Sequence, residues 1–103
     1  MDVLIQYFDG CPGWTTARNR IELAAKALEA EAAVTFMKVE SDEEAERIGF
    51  RGSPSILVEG NDLFPTEAST IGMSCRIYMV DGKAEGAPSV DQLVVALRPF
   101  ARA

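Results

Sequence analysis

The chain has 103 residues, 48% of them hydrophobic and 25% charged, the balance of one soluble globular domain rather than of a disordered or fibrous chain. A formal net charge of −6 and a pI near 4.5 argue against nucleic acid and against an anionic membrane surface, because both need clustered Lys and Arg. With no histidine and two cysteines, the chain lacks Cys-His and Ser-His nucleophile pairs, His-based metal sites and a disulfide framework. No cofactor and no resident metal are expected, and any chemistry falls to thiols, carboxylates, lysine or backbone.

The run "VLIQYF", residues 3–8, is nearly continuous in apolar strand formers and ends at the turn signal Asp9-Gly10. It predicts a central strand buried on both faces. Asp2 stands where a secretory signal would carry basic residues, and no window approaches the roughly 18 apolar residues of a membrane span, so a cytoplasmic location is the expectation. From Trp14 onward, Ala17, Ile21, Ala24, Leu28 and Ala32 recur at spacings of three and four, predicting an amphipathic helix of about five turns.

"AVTFMKV", residues 33–39, predicts a second strand. "SDEE", residues 41–44, is a capping box in which Ser41 caps a short helix and Glu44 reaches back to the cap's own N–H. Gly49 closes that helix in a left-handed conformation. Its acidic residues Asp42, Glu43, Glu44 and Glu46 are a solvated face with capping duty, without the alternating ligands and glycine of a calcium loop.

"SPSILVEG", residues 53–60, predicts a third strand that opens at a proline. Residues 61–74 are polar and turn-rich, an irregular excursion that is long for so small a domain. "CRIYMVDGK", residues 75–83, predicts a strand running into an Asp81-Gly82 turn, and "PSVDQLVVALRPF" a last helix with Ser89 as N-cap and Gln92 at the box position. The order is β-α-β-α-β-β-α along one domain, residues 1–103. This is an α/β architecture, a mixed sheet with helices on both faces.

Cys11 falls between the first strand and the first helix, where unsatisfied N–H groups and the helix dipole favour negative charge. A thiol there becomes a thiolate more readily. Pro12 suits the first helical turn, and Gly13 leaves room beside the sulfur for a substrate chain. The alternative is a small buried core residue, against which stand the polar and turn-forming neighbours Asp9, Gly10, Pro12 and Gly13.

Two stretches then resemble the thioredoxin-like family: "CPGW", residues 11–14, at the position of that family's C-x-x-C motif, and "IGFRGSPSILVEG", residues 48–60, similar to its cis-proline loop and following strand. The resemblance covers most of residues 1–60 and is looser beyond. It implies a thioredoxin fold, Cys11 as the attacking cysteine, and Pro54 as a cis-proline lying against it. It further implies Ser53 as the residue whose backbone pairs with an extended substrate, and Lys38 as a lysine favouring the thiolate, unless Lys38 is simply solvated at the strand end. Pro12, Gly13, Trp14, Ser53 and Pro54 are then the substrate-binding residues.

Trp14 stands where the family's second cysteine would be, so a mixed disulfide on Cys11 cannot be resolved from within the motif. Trp14 is either the first core residue of the helix or an aromatic wall beside the thiol. Cys75 is the candidate resolving thiol if the 61–74 excursion folds back over Cys11, and an inert cysteine if it does not. The leading expectation is thus a monothiol exchange protein, an oxidoreductase lacking the second motif cysteine. Its partners would be protein or small-molecule disulfides and thiols. The alternatives are a non-catalytic thioredoxin-like binding domain and, with both cysteines together, thiolate capture of a soft metal or organometal.

Overall fold

Val3 and Ile5 are buried on one side of the first strand, and Gln6 is buried on the other, as a strand covered on both faces requires. In the computed structural model, which describes residues 1–66 and 70–101, this strand, β1 (Asp2–Tyr7), is central. It pairs in parallel with β2 (Ala33–Lys38) and antiparallel with β3 (Ser55–Val58), which pairs antiparallel with β4 (Asn61–Asp62). The order β2-β1-β3-β4 is a four-stranded mixed sheet. The register sets Val3 opposite Val58 and Ile5 opposite Ile56, so the apolar sets of the two strands share one face.

Helix α1 (Gly13–Ala27) covers that face with Ala17, Ile21 and Ala24, and α3 (Val90–Leu97) adds Leu93 and Leu97, making one core with Val3, Ile5, Ile56 and Val58. Each of the Val, Leu and Ile side chains in it contributes roughly 1.5–3 kcal/mol on burial. Helix α2 (Asp42–Ile48) packs elsewhere: its Ala45 joins Val39 and Phe50, with Phe8 and Ile48 alongside. Phe8 has the opposite parity to Val3 and Ile5, so this second cluster belongs to the other face of the sheet.

The caps follow the sequence closely. Ser89 and Gln92 form a reciprocal capping box on α3, and Gly49 ends α2 in the left-handed region with φ 71°. Ser41 Oγ accepts the Glu44 N–H at 3.1 Å, but the Glu44 carboxylate accepts from Glu40 N–H, one residue before the cap, rather than from Ser41. Helix α1 stops at Ala27, about one turn short of the expected length, because Glu29 turns to positive φ (51°) and ends the backbone ladder.

The expected element order needs correction after β3. Two further short strands occur, β4 and β6 (Lys83–Glu85), and the expected 75–83 strand contracts to β5 (Tyr78–Val80). Each extra strand is the return arm of a two-residue hairpin. Glu59-Gly60 and Asp81-Gly82 both take positive φ at the two turn positions, the geometry that matches the natural strand twist. Strands of two or three residues are too short to show a period. Nor does β5 join the main sheet: it pairs antiparallel with β6 as a separate two-stranded sheet. Its link to the rest is an isolated parallel bridge between Ser53 and Cys75. Residues 67–69 of the expected 61–74 excursion lie outside the described residues. Among the described residues no helix is long and apolar enough to cross a membrane.

Candidate functional site

Cys11 sits between β1 and α1, one residue before the N-cap Pro12, and its own N–H reaches the Phe8 carbonyl at 3.5 Å. It is 2% exposed. Its sulfur is bonded to Cys75, 64 residues further on, with the two Cα atoms 5.6 Å apart. The excursion therefore does return to the motif end of the sheet, which is the condition on which a role for Cys75 depended. Cys75 itself is exposed.

Three interactions hold the Cys75 segment in place. The backbone brackets Ser53: its N–H donates to the Ser74 carbonyl at 2.8 Å, and its carbonyl accepts from Arg76 N–H at 2.9 Å. The Arg76 side chain, 5% exposed as a residue, forks onto Asp62 at 3.0 and 3.3 Å and also donates to Ser55 Oγ and the Phe64 carbonyl. A buried guanidinium must be paired and hydrogen-bonded to be tolerated, and here it is both. Asp62 lies on β4, so the β3–β4 hairpin reaches the disulfide through Arg76. The third interaction is the buried Tyr78 hydroxyl, which donates to the Pro54 carbonyl at 2.6 Å. Burial pushes the Tyr78 phenol far above its ordinary 10.0, so this donor keeps its proton into alkali as well as at neutral pH.

The Ser53–Pro54 peptide is cis, and both side chains are fully buried. Ser53 Oγ accepts the Phe8 N–H at 3.2 Å. Every backbone polar group of Ser53 is thus engaged by the protein's own 74–76 segment, in the place where the resemblance implies an extended substrate. Gly52, at φ 105°, makes this possible: a Cβ there would stand 3.0 Å from the Ser74 carbonyl and 3.1 Å from Arg76.

Two cavities meet at the disulfide. The smaller, about 380 Å³, is lined by Cys11, Pro12, Gly13, Ser53 and Cys75 with the 85–87 loop. The larger, about 660 Å³, also borders Cys75 and is lined by Phe64, Tyr78, Met79 and Gln92 among others. Cys75 faces both. Gly13 does border the smaller cavity, but its lack of a side chain has a packing reason as well: a Cβ there would run into the Gly86 carbonyl.

Trp14 lines neither cavity. It stacks on Tyr7 with ring centroids 4.4 Å apart, meets Phe36 edge-on at 5.8 Å, and packs on the core. The aromatic-wall alternative is therefore not the arrangement seen; the helical spacing that makes Trp14 a core residue accounts for it. Lys38 has a carboxylate partner. Its ammonium pairs with Asp9 at 2.7 Å on the surface, and the Asp9 hydrogen bond and charge raise its pKa.

No protein-family model, no curated protein and no solved structure matches the chain. The site is therefore read on its own geometry. Asp62, Arg76 and Tyr78 are the residues sequence reasoning passed over. The one available signal was Arg76 between Cys75 and Ile77, a charge inside a strand-like run, which implies a buried partner without naming it.

Chemically, the bonded pair offers an electrophilic sulfur to an incoming thiolate, and the reduced pair offers two thiols close enough to close again. No group of three or more Cys, His, Asp or Glu able to hold a metal ion occurs among the described residues.

Proposed function

We propose that the chain is a thioredoxin-like, cytoplasmic thiol–disulfide exchange protein whose redox pair, Cys11 and Cys75, is drawn from two segments rather than from one motif. The observation that carries the reading is the bond between Cys11, at a strand–helix junction, and an exposed Cys75 beside Ser53. A disulfide with one exposed cysteine is open to thiol attack from that side, and accessible disulfides are the labile ones. In the cytosol, a disulfide that forms at all is usually transient and catalytic.

Cys75 supplies what Trp14 removes from the motif, a second thiol to resolve a mixed disulfide on its partner. The net reaction takes two thiols to one disulfide while the Cys11–Cys75 bond is reduced to two thiols, or runs in reverse. Protein or small-molecule thiols and disulfides are the partners. The binding-domain alternative needs the Ser53 backbone open to a partner strand, and the 74–76 segment occupies it in the bonded state.

The test is turnover. With dithiothreitol as reductant, the protein should accelerate reduction of hydroxyethyl disulfide or insulin, and a variant carrying both Cys11→Ser and Cys75→Ser should add nothing to the uncatalysed rate. Equal rates for the two proteins would overturn the reading.

A further inference from the structure

We infer that Cys75, not Cys11, is the sulfur through which external thiols and disulfides enter, with Cys11 as the buried partner that leaves and returns. The inference rests on the exchange reading above and reverses the roles that the CPGW motif implies.

Exchange at sulfur requires the incoming thiolate to reach one sulfur while the other departs, so access decides which is attacked. Cys11 is 2% exposed and borders only the smaller of the two cavities, whereas Cys75 is exposed and borders both. The surroundings of Cys11 are also the more closed. Gly13, two residues beyond it, lies so near the Gly86 backbone that a Cβ there would run into the Gly86 carbonyl. The backbone on either side of Cys75 is tied by the two bonds to Ser53 and by the Ser74 N–H, which donates to the Gly72 carbonyl.

The leaving group points the same way. When a thiolate RS⁻ attacks Cys75 Sγ, the R–S–Sγ bond forms, the Cys75–Cys11 bond breaks, and the electron pair leaves on Cys11 Sγ. That atom belongs to the residue just before the N-cap of a 15-residue helix, whose dipole stabilises the departing thiolate. Attack at Cys11 would instead expel the thiolate of Cys75, which lies at the start of no helix. A second thiol then attacks the mixed disulfide on Cys75, releasing RSSR and the Cys75 thiol. In the reverse direction Cys75 attacks the external disulfide, and Cys11 closes the ring.

The experiment uses the full chain in its oxidised form. It is mixed with reduced glutathione at neutral pH, quenched in acid at early times, labelled with N-ethylmaleimide and mapped by peptide mass spectrometry. The expected product carries glutathione on the Cys75 peptide and maleimide on the Cys11 peptide, in at least about tenfold excess over the opposite pattern. To exclude migration between the two sulfurs, Cys11→Ser and Cys75→Ser are each reacted with glutathione disulfide, and Cys11→Ser should form its adduct faster. Glutathione mainly on Cys11, or faster reaction of Cys75→Ser, overturns the assignment while leaving the exchange reading standing. Failure of glutathione to open the bond at all in the folded wild-type protein, with neither adduct nor maleimide-labelled thiols formed, overturns both.

Discussion

The two ends of the Cys11–Cys75 bond are built by different means. Cys11 is placed by regular structure: a central strand, a turn and an amphipathic helix that any chain of this pattern would form. Cys75 lies outside any strand or helix and is placed by a side-chain network, the Arg76–Asp62 pair and the Tyr78–Pro54 hydrogen bond, together with a single bridge to Ser53. Local propensity positions one sulfur and long-range polar contacts the other. Damage to the network should therefore loosen the Cys75 side and leave the Cys11 side folded.

The most localised large effect is expected from Asp62→Ala. It strands a buried guanidinium, which costs about 3–5 kcal/mol for a fully buried pair and nearer the lower figure here, because Asp62 is 26% exposed. Chemical denaturation should record the loss, and hydrogen exchange should show protection falling first around residues 74–78. A uniform loss across β1 and α1 would erase the distinction between the two sides.

Loss of the cross-link itself is at least as large in free energy, but it acts on the whole chain. Closing a loop across a separation of 64 residues is worth about 4 kcal/mol in the chain-entropy account. The reduced protein should unfold at correspondingly lower denaturant with its far-UV spectrum retained, since the shared core of β1, β3, α1 and α3 does not include either sulfur.

Tyr78→Phe is a smaller change, about 1 kcal/mol for the lost hydrogen bond at neutral pH. Its signature is in alkali. Because the folded phenol titrates above its ordinary 10.0, the associated stability is intact below that value and is lost as pH rises beyond it and the unfolded chain ionises. The Phe variant should lose that part of the alkaline slope. An unchanged slope would show that Tyr78 is not held protonated by burial.

Least affected should be the surface pair. Lys38→Gln removes the Asp9 contact, which is solvent-screened, and should leave the reactivity of both cysteines unaltered in an alkylation assay. A slowed reaction at Cys11 would restore the thiolate-stabilising role that the resemblance implies for Lys38.

The same division explains what could be read from the residues beforehand. The placement of β1, α1, β2, α2, β3 and α3 follows from apolar periodicity and from the caps at Ser41, Gly49 and Ser89, all of them local signals. The hairpin arms β4 and β6 escaped because two or three residues carry no period. The separate β5–β6 sheet escaped because Tyr78 and Val80 look inward while Ile77 and Met79 stay exposed, an alternation too brief to tell which sheet they join. For the site, the Cys11 junction and the Ser53–Pro54 turn were legible, and the meeting of Cys11 with Cys75 was one of two open alternatives. What decides it is Arg76 reaching back 14 residues to Asp62, a tertiary pairing whose one local trace, a charge inside a strand-like run, does not name the partner.

The claim that the Cys11–Cys75 bond is an exchange site rather than a permanent staple is tested most directly by its equilibrium reduction potential. Equilibration in glutathione or dithiothreitol buffers, with alkylation and mass spectrometry as readout, should place it within the range of exchange proteins, about −270 to −120 mV. A value below about −300 mV, where structural disulfides lie, would contradict the account.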